Sequence, residues 1–151
     1  MSKIYLQIDE PYQPHVDREQ LEAAVEEALR HQRAPQEASL SLRIASDEPV
    51  RVLNARYRGV DKATDVLSFP DGSPDPETGA PYLGDIIIAY PQAEAQAQKG
   101  GHPVMWELCL LTVHGVLHLL GHDHATEEEK ARMWAAQKEI LTRLGCPLDP
   151  P

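Results

Sequence analysis

From Lys3 to Ile8 the chain alternates, with Ile4, Leu6 and Ile8 on one face and Lys3, Tyr5 and Gln7 on the other, the period of a half-buried strand. Asp17 and Gln20 resemble a capping box. Leu21, Ala24, Val25, Ala28 and Leu29 then recur at helical spacing up to about Arg33, which predicts an amphipathic helix. Ser39 to Ile44 alternates again with Leu40, Leu42 and Ile44 inward, so the chain opens strand, helix, strand and requires a sheet with at least one covered face. Ser46 and Asp47 can cap a short helix with Val50, Leu53 and Tyr57 as its apolar stripe and Arg51, Asn54 and Arg58 on a neighbouring one.

Thr64 to Phe69 has strand composition and is ended by Pro70, and the Pro, Gly and Asp residues from Asp71 to Pro81 predict an exposed loop. Gly84 and Asp85 lead into Ile86, Ile87 and Ile88, apolar on both faces as a strand covered on both sides would be. Pro91 suits the first turn of a helix that Gly100 and Gly101 stop after Lys99. Val104 to Leu120 is apolar almost all round, the mark of a central buried helix. Thr126 and Glu129 form a capping box for a final helix whose stripe is Met133, Ala136, Ile140, Leu141 and Leu144, closed by Gly145 and Pro147.

With 151 residues the chain has the size of one domain, 1–151, able to bury roughly 70% of its unfolded surface without disulfides. Ile4 to Ile8 is too short and too broken by Gln7 and Asp9 to be a signal peptide core, and no run is long enough to span a bilayer. Cys109 and Cys146 form no C-x-x-C pair, and a reduced, cytoplasmic setting is expected. The net charge of −10 argues against a general polyanion binder. Between Arg43 and Lys62, however, basic residues outnumber acidic ones, so any nucleic-acid contact must be local.

The candidate chemistry lies in His114 to His124, which reads H-G-V-L-H-L-L-G-H-D-H. His114 and His118 are four apart, so on a helix they share a face about 5 to 6 Å apart at Cβ. Gly121 permits a left-handed turn that brings His124 back to the same point. Three imidazoles so spaced call for one common partner, and zinc, one per chain, is the natural metal: it accepts tetrahedral nitrogen ligation and with three protein ligands keeps one position open. The competing readings are polar histidines at a helix end and a closed structural zinc with a further ligand. Cys109, five residues before His114, points well round the helix from the ligand face. The same spacing is the metal scaffold of metzincin peptidases, but those carry Glu after the first histidine as general base, where this chain has Gly115.

That stretch, with N-A-R-Y-R-G-V-D-K-A-T-D-V-L-S-F-P from Asn54 to Pro70 and L-G-D-I from Leu83 to Ile86, resembles the YbeY family of bacterial endoribonucleases over most of the chain. The resemblance implies a zinc-dependent, single-strand-specific endoribonuclease acting on ribosomal RNA, at the small-subunit 3′ end, and in ribosome quality control, with RNA and ribosome-associated proteins as partners. It also implies an α+β fold with a small mixed four-stranded sheet and the zinc site on the buried helix. The family's metal ligands map onto His114, His118 and His124, and its functional arginine onto Arg58.

Two positions depart from the family pattern: His122 stands where Tyr is usual, and Ala63 where Pro is usual. His122 reads as an exposed turn residue, although it offers a competing imidazole. Arg58 beside a metal could hold the charge that builds on a phosphodiester under attack, or could form a surface salt bridge. Arg51, Asn54 and Lys62 are expected to extend it into a local basic wall for RNA. Asp123 would either orient a ligand histidine or stabilise the turn, and Asp65, Ser68 and Asp85 would either line the cleft or cap strand ends. His15, His31 and His102 fall outside any pattern and read as solvated.

Overall fold

The computed structural model describes residues 2–148; Met1 and residues 149–151, the ends of the expected 1–151 domain, lie outside that description. Four strands, β1 (Lys3–Ile8), β2 (Ser39–Ala45), β3 (Val66–Pro70) and β4 (Tyr82–Ala89), form one sheet in the order β1-β2-β4-β3. β1 and β4 run parallel to β2, and β3 runs antiparallel to β4, so the sheet is mixed as the family resemblance implied. The helices are α1 (Arg18–His31), α2 (Asp47–Arg58), α3 (Tyr90–Gly100), α4 (Val104–Leu119) and α5 (Glu127–Arg143).

Strand alternation assigns the two sheet faces. Leu40, Leu42, Ile44, Ile86 and Ile88 enter the main core with α1, α4 and α5, whereas Ala45, Leu67, Ile87 and Ala89 form a smaller core with Val50 of α2. β4 is therefore covered on both faces, which is why its triple Ile lacks a polar phase. The main core is centred on α4: from Glu107 to Leu119 every residue is buried except His114 and His118. Beyond its first turn, a helix expected to have no solvent face opens at its two histidines.

Helix ends follow local chemistry. The Asp17 carboxylate accepts from the Glu19 and Gln20 amides at the start of α1, and Thr126 and Glu129 make the reciprocal capping box of α5. Several boundaries differ from the sequence reading. A 3-10 turn, Glu10–His15, precedes α1; its two prolines carry no hydrophobic period, and Tyr12 stacks on Tyr90 at 4.6 Å. β3 starts two residues late, because the Asp65 carboxylate takes the Val66 N–H at 2.7 Å. The loop before β4 runs over 71–81 as expected but is not exposed throughout: Asp75 is buried and accepts from the Ser39 and Tyr5 hydroxyls.

Candidate metal centre

The last turn of α4 builds the site. The helix ends in a Schellman motif, with the His122 N–H on the Leu117 carbonyl at 2.9 Å and the Gly121 N–H on the His118 carbonyl at 3.1 Å. Gly121 sits at φ +99°, where a Cβ would be strained. The reversal returns His124 to the α4 histidines: its ring centroid lies 5.7 Å from that of His114 and 5.3 Å from that of His118. The Nε2 atoms of His114 and His118 are 3.0 Å apart, and one ring nitrogen from each of the three histidines falls within 4.8 Å of the others.

Helix α5 supports this cluster from behind. The His114 Nδ1–H donates to the Gln137 side-chain carbonyl at 2.6 Å, which holds the tautomer whose Nε2 lone pair faces its partners. Gln137 is itself buried. Trp134, next to Met133 at the start of the packing stripe, sets its indole edge-to-face against His114 at 6.0 Å and His124 at 5.5 Å. Burial pushes the His114 pKa down from 6.5 to about 4, with the neighbouring imidazoles adding to it against the opposing bond to Gln137. Burial and then His124 lower that of His118 as well. Both rings are therefore neutral near pH 7, the form in which imidazole donates to a metal. Among the described residues these three form the one group of three or more His, Cys, Asp or Glu side chains close enough to hold a metal ion, and three imidazole nitrogens suit zinc with a position left open.

The cluster forms one wall of a cleft of about 630 Å³. Arg58, at the end of α2, lines the same cleft, as do Thr64, Asp65 and Ser68. The other residues expected in the basic wall do not line this cleft. Arg51 pairs with Glu48 at 2.6 Å and with Asp61, Lys62 is exposed but not on the cleft, and Asn54 is buried with its amide donating to the Lys62 carbonyl at 2.8 Å. These three hold the α2–β3 connection together, and the cleft receives Arg58 from it. Asp123 accepts the His124 amide at 2.8 Å, so it stabilises the turn. Asp85 lies on the opposite sheet face beside Tyr82.

Two of the three histidines read as solvated are not. His31 is half-buried beside Gln32 and Glu139, and His102 bonds to buried Glu107 at 2.7 Å; His15 is exposed as expected. His122 is half-buried and bonds to Gln32 at 2.7 Å, which turns it away from the three-histidine group. Cys109 is free and buried in the main core. Gln137 and Trp134 were missed in sequence; the signal for Gln137 was a polar residue four after Met133 and next to Ala136, inside the apolar stripe of α5.

Gly115 carries a second message. A Cβ at this position would stand 2.8 Å from Ile86 Cγ2, because α4 packs there against β4. The position that bears the general base in metzincin peptidases faces the sheet and admits no carboxylate.

Comparison with known proteins agrees with this architecture. The family model described as Endoribonuclease YbeY matches residues 7–145. The chain belongs to the YbeY endoribonuclease family. Endoribonuclease YbeY of Geobacillus thermodenitrificans (strain NG80-2) is 48% identical over 84% of this chain and 86% of that protein. Endoribonuclease YbeY of Chloroflexus aurantiacus (strain ATCC 29366 / DSM 635 / J-10-fl) is 44% identical over 95% of this chain and 96% of that protein. The solution structure of TM1509 from Thermotoga maritima shares the fold, with a TM-score of 0.64 and 24% identity over 93% of this chain and 88% of that one. No helix among the described residues is long and apolar enough to cross a membrane.

Proposed function

We propose that this chain, acting as one domain over 1–151, is a zinc-dependent endoribonuclease of single-stranded RNA in the cytoplasm. Its substrate in this reading is ribosomal RNA, in maturation of the small-subunit 3′ end and in ribosome quality control, with ribosome-associated proteins as partners. One observation carries the reading: Arg58 and the three-histidine group line a single cleft. Family membership supports the RNA substrate.

His114, His118 and His124 would hold the metal, one zinc per chain. A bound zinc supplies Lewis acidity toward a phosphoryl oxygen or an attacking water. The chain's own residues do the rest. Arg58 can take two non-bridging phosphate oxygens through parallel N–H bonds and so hold the negative charge that grows during attack at phosphorus. Gln137 keeps the His114 ring from turning, and Ser68 and Thr64 bring hydroxyls to the same cleft. The arrangement serves attack by water or by the ribose 2′-hydroxyl; a 2′,3′-cyclic phosphate on the product would assign the second.

The test is to strip the purified protein with a chelator, reload it with one equivalent of zinc, and incubate both forms with single-stranded ribosomal RNA and with a denatured protein. RNA cleavage by the reloaded form alone is expected. Equal RNA cleavage by both forms would remove the metal from the mechanism, and cleavage of the protein substrate alone would make the chain a peptidase.

A further inference from the structure

Beside the metal-ligand cleft lies a second cavity of about 410 Å³, and His114, Asp65 and Val66 line both. Leu110 and Leu111 of α4 and Trp134 of α5 give it apolar walls, while Gln96 of α3 and Glu107 of α4 bring polar groups. Glu107 has no part in the chemistry above: it is 5% exposed on the buried helix and bonded to His102. Gln96, exposed on the outer side, donates its amide to Asp65 at 3.3 Å. An apolar cavity of a few hundred Å³ with a few convergent polar groups is the usual form of a site for a small planar molecule.

We propose that this cavity takes one unpaired nucleobase of the RNA, from the nucleotide beside the scissile phosphate, and prefers a base that carries an amino group. The inference rests on the RNA reading of the cleft. His114 is a shared wall, so a nucleotide whose phosphate lies in the Arg58 cleft has the second cavity next to it. A base held in a duplex cannot turn out into it without unpairing, so selectivity for single strands is built into the site. The carboxylates of Asp65 and Glu107 accept hydrogen bonds, which adenine, cytosine and guanine supply through their amino groups. Uracil has no amino group; its single ring N–H sits between two carbonyl oxygens, which the carboxylates repel.

The experiment walks one abasic nucleotide through a single-stranded oligoribonucleotide of defined cleavage position, using zinc-loaded wild type and Gln96→Trp, whose indole would plug the cavity from an exposed helix position. In wild type, kcat/KM should fall about tenfold to a hundredfold at one position next to the cut, the loss expected for one stacked base. Uracil at that position should cost several-fold against cytosine. Gln96→Trp should lose a similar factor on intact RNA, keep its zinc, and lose nothing further with the abasic nucleotide. A uniform effect at all positions, or none, would overturn the proposal.

A binding arm separates this from failure of the RNA reading. Cytidine monophosphate at millimolar concentration should shift the Trp134 indole N–H resonance in wild type and not in Gln96→Trp. If wild type cut no RNA while that shift appeared, the cleavage reading would fall and the nucleobase site would stand. If cleavage occurred and no shift or abasic effect appeared, the site would fall alone.

Discussion

The α4 histidines and the basic arm of α2 look alike in sequence, each a cluster of functional side chains on one helix, but they differ in three dimensions. Around α4 folding gathers what the spacing offered and adds to it: His124 closes the group and Gln137 orients it. Around α2 folding consumes most of the offer. Arg51 is taken by Glu48 and Asp61, Asn54 turns inward, and Arg58 reaches the cleft. Backbone periodicity decides whether two ligands share a face, whereas a charge is available to a substrate only if no neighbour has claimed it.

The largest effect that would break this contrast is at His114. His114→Ala should leave substoichiometric zinc and cut RNA cleavage by about a thousandfold, the several kcal/mol a metal contributes to transition-state charge. Unchanged metal content and rate would show that the group is not a metal site. Arg58→Ala should keep its zinc and lose about a hundredfold in kcat, typical of removing one donor to a developing oxyanion; Arg58→Lys should recover only part, having no bidentate fork. A loss confined to KM would make Arg58 a binding residue only.

Gln137→Leu sharpens the α4 side. It keeps the packing volume but frees the His114 ring, and zinc affinity measured by chelator competition should weaken about tenfold to a hundredfold. Acid tests the same burial. The unfolded chain protonates this imidazole near pH 6.5, while the folded chain resists until about pH 4. Its contribution to stability is therefore complete above 6.5 and lost as pH falls toward 4, by up to about 3 kcal/mol. The lowered His118 acts in the same direction. Denaturant titrations of zinc-free protein at pH 7 and 4.5 should show this drop, and an equally steep drop in His114→Gln would exclude His114 as its source. The smallest effect belongs to the other region: Arg51→Ala should change kcat/KM by less than about twofold and leave the denaturation midpoint nearly where it was, since its pairs are exposed and screened by solvent. A tenfold loss of activity would restore Arg51 to the RNA wall.

Much of the fold was legible because its signals are local. β1, α1, β2 and α5 follow from alternation, helical spacing and capping residues, and the ends of β3 and β4 were blurred because Asp65, Tyr82 and Leu83 are assigned by what they pair with. The ligand set was legible for the same reason as the helices, since i, i+4 and a glycine turn are short-range geometry. Gln137 and Trp134 were not, because they come from a helix more than ten residues further on and meet His114 only when α4 and α5 pack. His102 read as solvated until the burial of α4 paired it with Glu107 inside a cavity.

The amino-acid order alone determined that three imidazoles could meet, that a left-handed glycine would close the turn, and that the helix carrying them would be buried. The first two depend on backbone dihedrals over the eleven residues from His114 to His124, and the third on the apolar run from Val104 to Leu120. Tertiary structure alone decided which cation faces the histidines, which residue holds the His114 tautomer, and why position 115 must lack a side chain against Ile86. Those outcomes depend on the approach of elements far apart in the chain, and burial, close packing and the pairing of charges have no value until that approach has been made.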